Sequence, residues 1–187
     1  MRVVGGRHRG TALHAPRGDA TRPTTDRLRE TIFNILAHRF DDPVQDARVL
    51  DLFAGTGALG IEALSRGATF ALFVETGAEA RAVIRRNVEA VGALGVTRVW
   101  RRDATKLGPC PVPPFDVVFA DPPYGHGLGE AALGEALASG WLADGAIAVL
   151  EERADAMPAA IEGFEEPFVR EAGESAVGFF VRTARAG

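Results

Sequence analysis

Cysteine is almost missing from this chain of 187 residues, where Cys110 stands alone. One thiol can close no internal disulfide and build no cysteine zinc site, so a disulfide-stapled secreted module is excluded and a reducing compartment is expected. Long apolar runs are missing too. Nothing approaches the roughly 20 residues of a membrane span, and the opening Met1-Arg2-Val3-Val4-Gly5-Gly6 lacks the apolar stretch of a secretion signal. The chain therefore reads as cytoplasmic, with no membrane partner. His8, His14, His38 and His126 show no ligand spacing, so no metal is expected. What remains is an ordinary globular composition, 47% apolar and 25% charged. At this length folding buries about 70% of the surface the unfolded chain exposes, enough for one core.

Lysine is also scarce, and that scarcity goes with an uneven charge. The net charge is −4, yet residues 1–40 carry eight arginines (2, 7, 9, 17, 22, 27, 29 and 39) against Asp19, Asp26 and Glu30. A basic end on an acidic body suits a protein that meets a polyanion with one face; a solvated arm is the plainer reading. Arginine outnumbers lysine 20 to one among the 21 basic residues, and its planar fork suits phosphate, although a GC-rich genome would favour it as well.

From Ala47 onward, short β-rich runs alternate with helical ones. Ala47–Phe53, Thr69–Val74, Thr97–Arg101, Phe115–Ala120 and Ile147–Leu150 read as strands. Ala58–Ser65, Ala78–Val91 and Leu128–Ala138 read as helices. Continuously apolar strands are covered on both faces, which implies a mostly parallel sheet in an α/β fold. Phe164–Arg170 and Val177–Arg182, separated by a short loop at Gly173, add an antiparallel hairpin at the edge and bring the count to seven strands. Residues 1–40 read as a small extension, loop-like until a helix begins near Pro23-Thr24-Thr25, with Leu28, Ile32, Ile35 and Leu36 inward and Arg27 and Arg29 outward. The division is then 1–40 as basic extension and 41–187 as main domain.

The chemistry gathers at strand ends. Asp51-Leu-Phe-Ala-Gly55-Thr-Gly57-Ala-Leu-Gly60 joins the first central strand to a helix, and glycines there allow a sharp turn and a close approach of ligand to backbone. Gly55, Gly57 and Gly60 spell GxGxxG, which alone would suit a dinucleotide. A carboxylate at Asp51 would repel a pyrophosphate and welcome an ammonium. Glu75, ending the next strand, suits two ribose hydroxyls, and Asp103-Ala104, closing the third, suits an adenine amine. Ammonium, ribose and adenine without phosphate describe S-adenosyl-L-methionine, with S-adenosyl-L-homocysteine as product; Asp51, Phe53, Gly55, Gly57, Glu75, Asp103 and Ala104 are the expected cofactor residues. Each acid taken singly could be a mere cap. The fourth strand runs into Asp121-Pro122-Pro123-Tyr124. Prolines there have no N–H to donate, so the Asp121 side chain and Pro122 carbonyl could accept hydrogens from an exocyclic amine while Tyr124 stacks on its base. Asp121, Pro122 and Tyr124 are the expected catalytic residues.

Asp51 to Gly60, Glu75, Asp103 and Asp121 to Tyr124 resemble the motifs of amino-methylating, S-adenosylmethionine-dependent methyltransferases. Val4-Gly-Gly-Arg7-His-Arg9-Gly10 and Thr21-Arg-Pro-Thr-Thr-Asp-Arg27-Leu-Arg29-Glu30-Thr-Ile-Phe-Asn-Ile35-Leu resemble one branch in particular, the bacterial RsmD family, named 16S rRNA (guanine(966)-N(2))-methyltransferase. The likeness spans almost the whole chain. It implies a Rossmann-like, seven-stranded methyltransferase acting on a guanine exocyclic amine of 16S rRNA in the small ribosomal subunit, with ribosomal proteins as neighbours of the site. Arg7, His8, Arg9, Arg22 and Arg27 are the RNA contacts it suggests. Ala172 departs from the pattern, since a tyrosine is expected there. Three rivals stay open: an N6-adenine methyltransferase, a nicotinamide oxidoreductase resting on the literal GxGxxG, and a non-catalytic RNA-binding protein that leaves Asp121–Tyr124 unused. The Gly125-His126-Gly127 loop could close over a base or be ordinary surface, and Cys110 reads as structural.

Overall fold

The computed structural model describes residues 1–17 and 24–184. One sheet of seven strands runs through it: β1 (Arg48–Leu52), β2 (Phe70–Val74), β3 (Thr97–Trp100), β4 (Phe115–Ala120), β5 (Leu142–Arg153), β6 (Phe168–Ala172) and β7 (Ser175–Val181), in the order β3-β2-β1-β4-β5-β7-β6. The first five pair in parallel, while β7 runs antiparallel between β5 and β6. The α/β class and the antiparallel C-terminal hairpin are as the sequence implies. Helices α2 (Ala58–Ser65), α3 (Ala78–Ala90) and α4 (Leu128–Ala138) follow β1, β2 and β4, and they cover two apolar clusters, one on each side of the sheet. Helix α3 shows why periodicity finds such elements: Val83, Ile84, Asn87, Val88 and Val91 are buried, while Arg85, Arg86, Glu89 and Ala90 are exposed.

Two strands differ from expectation. β5 reaches from Leu142 to Arg153, because its first turn of pairing is irregular, shifting register between Phe115 and Val117, and Ala143–Gly145 there lack the apolar signature. β6 starts at Phe168, after Pro167; Phe164 makes only an isolated bridge to Arg182.

The first residues form a narrow antiparallel loop. Val3 and Leu13 donate to the carbonyls of Thr11 and Met1, and Val3 and Leu13 are buried in the same cluster as Val49, Ile61 and Leu64. Helix α1 (Asp26–Arg39) is capped by the Thr25 hydroxyl, which accepts from Leu28 N. Its inward face differs from the expected one: Arg29, Ile32, Phe33 and Leu36 are buried, and Leu28 and Ile35 are only partly so. Arg29 was expected outside and is fully enclosed. It pairs with Asp26 at 2.8 Å and lies 3.6 Å from the equally buried Glu62 of α2. Glu62 in turn accepts from Val4 N and Gly5 N and pairs with Arg66. A buried arginine is tolerable only with such partners, and this pair ties the N-terminal loop, α1 and α2 together.

Candidate active site

The order of the strands reverses between β1 and β4, so the loops leaving their carboxyl ends diverge and open a crevice. A cleft of about 610 Å³ lies there. Its wall holds Asp51, Phe53, Gly55, Glu75, Asp103 and Ala104 on the β1–β3 side, Asp121, Pro122 and Tyr124 from the end of β4, and Thr24 from just before α1, so residues 100 positions apart in the chain, Thr24 and Tyr124, share one cavity. Gly57 is the exception among the expected cofactor residues. It is buried as the left-handed N-cap of α2 (φ 78°), where a Cβ would lie 3.2 Å from Phe73 and 3.3 Å from Ile84. Its glycine is required for packing of the turn, and it does not line the cleft. Phe53 takes a positive φ of 53°, a strained conformation for an aromatic residue and one that clusters at ligand sites.

The acids differ in their surroundings. Asp51 is buried, accepts from Gly60 N at 3.0 Å and has no basic side chain beside it among the described residues. Burial, reinforced by the charge of Glu75 and opposed by the Gly60 N–H, pushes its carboxyl up to about 8. Glu75 reaches across the turn, taking Gly55 N on one oxygen at 3.0 Å and Gly77 N on the other at 2.7 Å. Each oxygen keeps a lone pair for a further donor. Asp103 is exposed, and the hydroxyl and N–H of Thr105, both on one oxygen, hold its carboxyl below the usual range.

At the end of β4 the sequence foresaw Asp121 and Tyr124 but not what holds them. Thr24 Oγ1 lies 3.0 Å from Asp121 Oδ2 and 3.1 Å from Glu151 Oε2, and the Tyr124 hydroxyl donates to Glu151 Oε1. Burial first and the nearby Glu151 second raise the Asp121 carboxyl well above the ordinary range; burial and the Glu151 contact also raise the Tyr124 phenol. The next residue, Glu152, accepts from Gly125 N at 2.9 Å, so consecutive glutamates of β5 hold consecutive residues of the turn. Two adjacent acids closing an otherwise apolar strand were the signal for them.

The expected RNA contacts lie elsewhere. Arg7 and Arg9 are exposed and His8 is half-buried, on a turn whose Arg7 N and His8 N donate to the carbonyl and hydroxyl of Ser65. Ser65 ends α2, an eight-residue helix that is about 12 Å long at 1.5 Å per residue, while the cleft lies at its other end. Arg27 is exposed on α1. Arg22 lies outside the described residues.

A seven-stranded sheet of this order, with a glycine-turned cleft at the carboxyl ends of its central strands, defines a Rossmann-like methyltransferase, and the comparisons place the chain among such enzymes. Residues 1–181 match the family model described as Conserved hypothetical protein 95, and the chain belongs to that family. It is 39% identical over 155 residues to the Ribosomal RNA small subunit methyltransferase D of Escherichia coli (strain K12), covering 83% of this chain and 76% of that protein. The protein of the same name from Haemophilus influenzae is 33% identical over 159 residues, covering 83% and 80%. The solved structure of yhhF from Escherichia coli superposes with a TM-score of 0.83 at 36% identity, covering 99% of both chains. The 16S rRNA N2 G1207 methyltransferase (RsmC) of Thermus thermophilus, solved with AdoMet and guanosine, shares the fold at a TM-score of 0.66 and 20% identity over 89% of this chain and 45% of that one.

Proposed function

We propose that this methyltransferase uses S-adenosyl-L-methionine to methylate the exocyclic N2 amine of a guanine in 16S rRNA of the small ribosomal subunit, in the cytoplasm. The observation that carries the reading is the meeting, in one cleft, of an uncompensated buried acid with an Asp-Pro-Pro-Tyr turn. The donor set fits the cofactor. A buried carboxyl without a cation, as at Asp51, suits an ammonium; the free lone pairs of Glu75 suit ribose hydroxyls; Asp103 and Ala104 suit adenine, with Phe53 and Gly55 forming the floor between. When bound, the cofactor supplies an electrophilic methyl group on sulfur.

The chain's own residues then act on the amine. A guanine N2 lone pair is delocalised into the ring, and acceptors on its two N–H groups, the Asp121 carboxylate and the Pro122 carbonyl, localise it on nitrogen. This interaction strengthens as charge develops, so it acts on the transition state more than on the bound substrate. The amine proton turns acidic only after transfer, and a carboxylate suffices to take it. Tyr124 holds the base by stacking. Residues 1–40 serve as a basic extension to the domain 41–187, with Arg7, His8, Arg9, Arg22 and Arg27 as phosphate contacts. The position of Arg7–Arg9, beyond the far end of α2, supports contacts with RNA remote from the target nucleotide. Thermal shift with S-adenosyl-L-homocysteine against NAD tests the cofactor: stabilisation by the first alone is expected, and stabilisation by NAD alone would restore the dinucleotide reading.

A further inference from the structure

The contacts around Thr24 contain one hydrogen too few. A threonine hydroxyl carries a single hydrogen, yet Thr24 Oγ1 sits within hydrogen-bond distance of two carboxyl oxygens, Asp121 Oδ2 at 3.0 Å and Glu151 Oε2 at 3.1 Å. Were both acids ionised, one of those contacts would set two oxygens face to face with nothing between them. Tyr124 does not fill the gap, because its hydroxyl donates to the other Glu151 oxygen. Glu151 is buried and does not line the cleft, so water is no easy partner on its side of the contact. Among the described residues the charged and titratable groups facing Asp121 are Glu151 from β5, Tyr124 from its own turn and Asp51 from the end of β1, all acids. Among the described residues the cation behind Thr24 is Arg29 of α1, which donates to the Thr24 carbonyl at 3.2 Å and is paired with Asp26 and Glu62.

We propose that Thr24 and Glu151 are positioning residues of the catalytic turn, and that Asp121, Thr24 and Glu151 share one extra proton that leaves Asp121 an acceptor for the target amine. The second part rests on the functional reading above. Two arrangements satisfy every contact; in the one that leaves Asp121 able to serve the amine, protonated Glu151 donates to Thr24, Thr24 donates to Asp121 Oδ2, and Asp121 stays ionised with Oδ1 unoccupied. Glu151 meanwhile accepts from Tyr124 and so fixes the ring on which the base stacks. A neutral side chain at 151 is then the working state. Losing the shared proton sets two carboxylates against one hydroxyl, and adding a further one blocks Asp121 itself.

Glu151→Gln keeps the neutral donor and acceptor; Glu151→Ala keeps neither. Carboxyl-carbon NMR on the full chain, labelled in Asp and Glu and assigned with Asp51→Asn and Asp121→Asn, reads the protons directly. The expected result is that Asp121 and Glu151 together hold one proton at pH 7, and that the Asp121 titration moves down in Glu151→Gln while its burial still keeps it above the ordinary carboxylate range. Full ionisation of both acids at pH 7 in the unmodified protein, or an Asp121 titration unmoved by Glu151→Gln, would overturn the shared proton. Single-turnover methylation supplies the second readout. Glu151→Ala and Thr24→Val should fall by about tenfold or more while Glu151→Gln stays within about threefold of the unmodified enzyme; equal rates for all would overturn the positioning roles, as would Glu151→Gln falling as far as Glu151→Ala in folded protein. If the unmodified protein methylates no RNA while the NMR result holds, the shared proton stands and the functional reading falls.

Discussion

Replacing Asp51 by Asn separates what the fold tolerates from what the ligand needs. The Asp51 carboxyl moves from an ordinary 3.8 to about 8 in the folded chain, so the native state keeps a proton that the unfolded chain releases above about pH 4. For a group raised in this way, stability is greatest at low pH and declines as pH climbs from the unfolded value to the folded one. A rise of roughly four units corresponds to on the order of 5 kcal/mol at 1.36 per unit, and water entering an open cleft would reduce this to about 3. Asn carries no charge and can still accept from Gly60 N through its carbonyl oxygen. Asp51→Asn should therefore be more stable than the unmodified chain by about 3 to 5 kcal/mol above pH 8, and by only about 1 to 2 kcal/mol near pH 5. It should also bind S-adenosyl-L-homocysteine more weakly by about 1.5 to 3 kcal/mol. Urea denaturation at pH 5 and 8.5, with calorimetric titration of the ligand, measures both. A variant whose stability tracks the unmodified protein at both pH values would refute the buried-acid argument; unchanged affinity would refute the ammonium assignment.

Other expectations follow from the same geometry. Binding of an ammonium beside Asp51 should release close to one proton per site at pH 7, seen as a dependence of calorimetric enthalpy on buffer ionisation; no buffer dependence would mean the acid stays neutral. Glu75→Ala should weaken the same ligand by about 1.5 to 3 kcal/mol in that titration, through lost ribose contacts and a loosened Gly55 turn. Arg29→Met removes the buried cation shared by Asp26, Glu62 and the Thr24 carbonyl, and should cost about 3 to 5 kcal/mol in urea denaturation; a loss well under about 1 kcal/mol would refute its role in tying α1 to α2. Tyr124→Phe keeps the ring and loses one hydroxyl contact, about 1 kcal/mol in single-turnover rate, whereas Tyr124→Ala should lose a further 1 to 3 kcal/mol with the stack. Removing Arg7, Arg9, Arg22 and Arg27 should flatten the salt dependence of subunit binding by roughly 0.7 to 0.9 in log–log slope per phosphate contact, and equal slopes would return the segment to a solvated arm.

Most of the sheet was legible because each central strand is apolar and bounded, and α2 and α4 were readable to their end residues. The cleft was legible for a related reason: Asp51 lies at the end of β1, Glu75, Asp103 and Asp121 come just after β2, β3 and β4, and parallel strands bring their carboxyl ends together. Arg29 was misplaced because charge argues for exposure until a buried partner is known, and Glu62 lies 33 residues away on another helix. Thr24 and Glu151 escaped notice on similar grounds. One looks like part of a helix cap and the other like the polar end of a strand, and only the fold brings them to Asp121 from 97 and 30 positions away. Gly57 was chosen for its place in the motif; its left-handed φ of 78° is what calls for glycine there, and it sits in the turn without lining the cleft.

The most direct measurement is transfer of a labelled methyl group from S-adenosyl-L-methionine to small ribosomal subunits that lack the modification, followed by digestion and identification of the labelled nucleoside. The expected product is guanosine methylated at N2 and confined to one site of the 16S rRNA, with Asp121→Ala producing little of it despite intact cofactor binding. Label on adenine N6, label spread over many guanines, or unchanged transfer by Asp121→Ala would contradict the assignment.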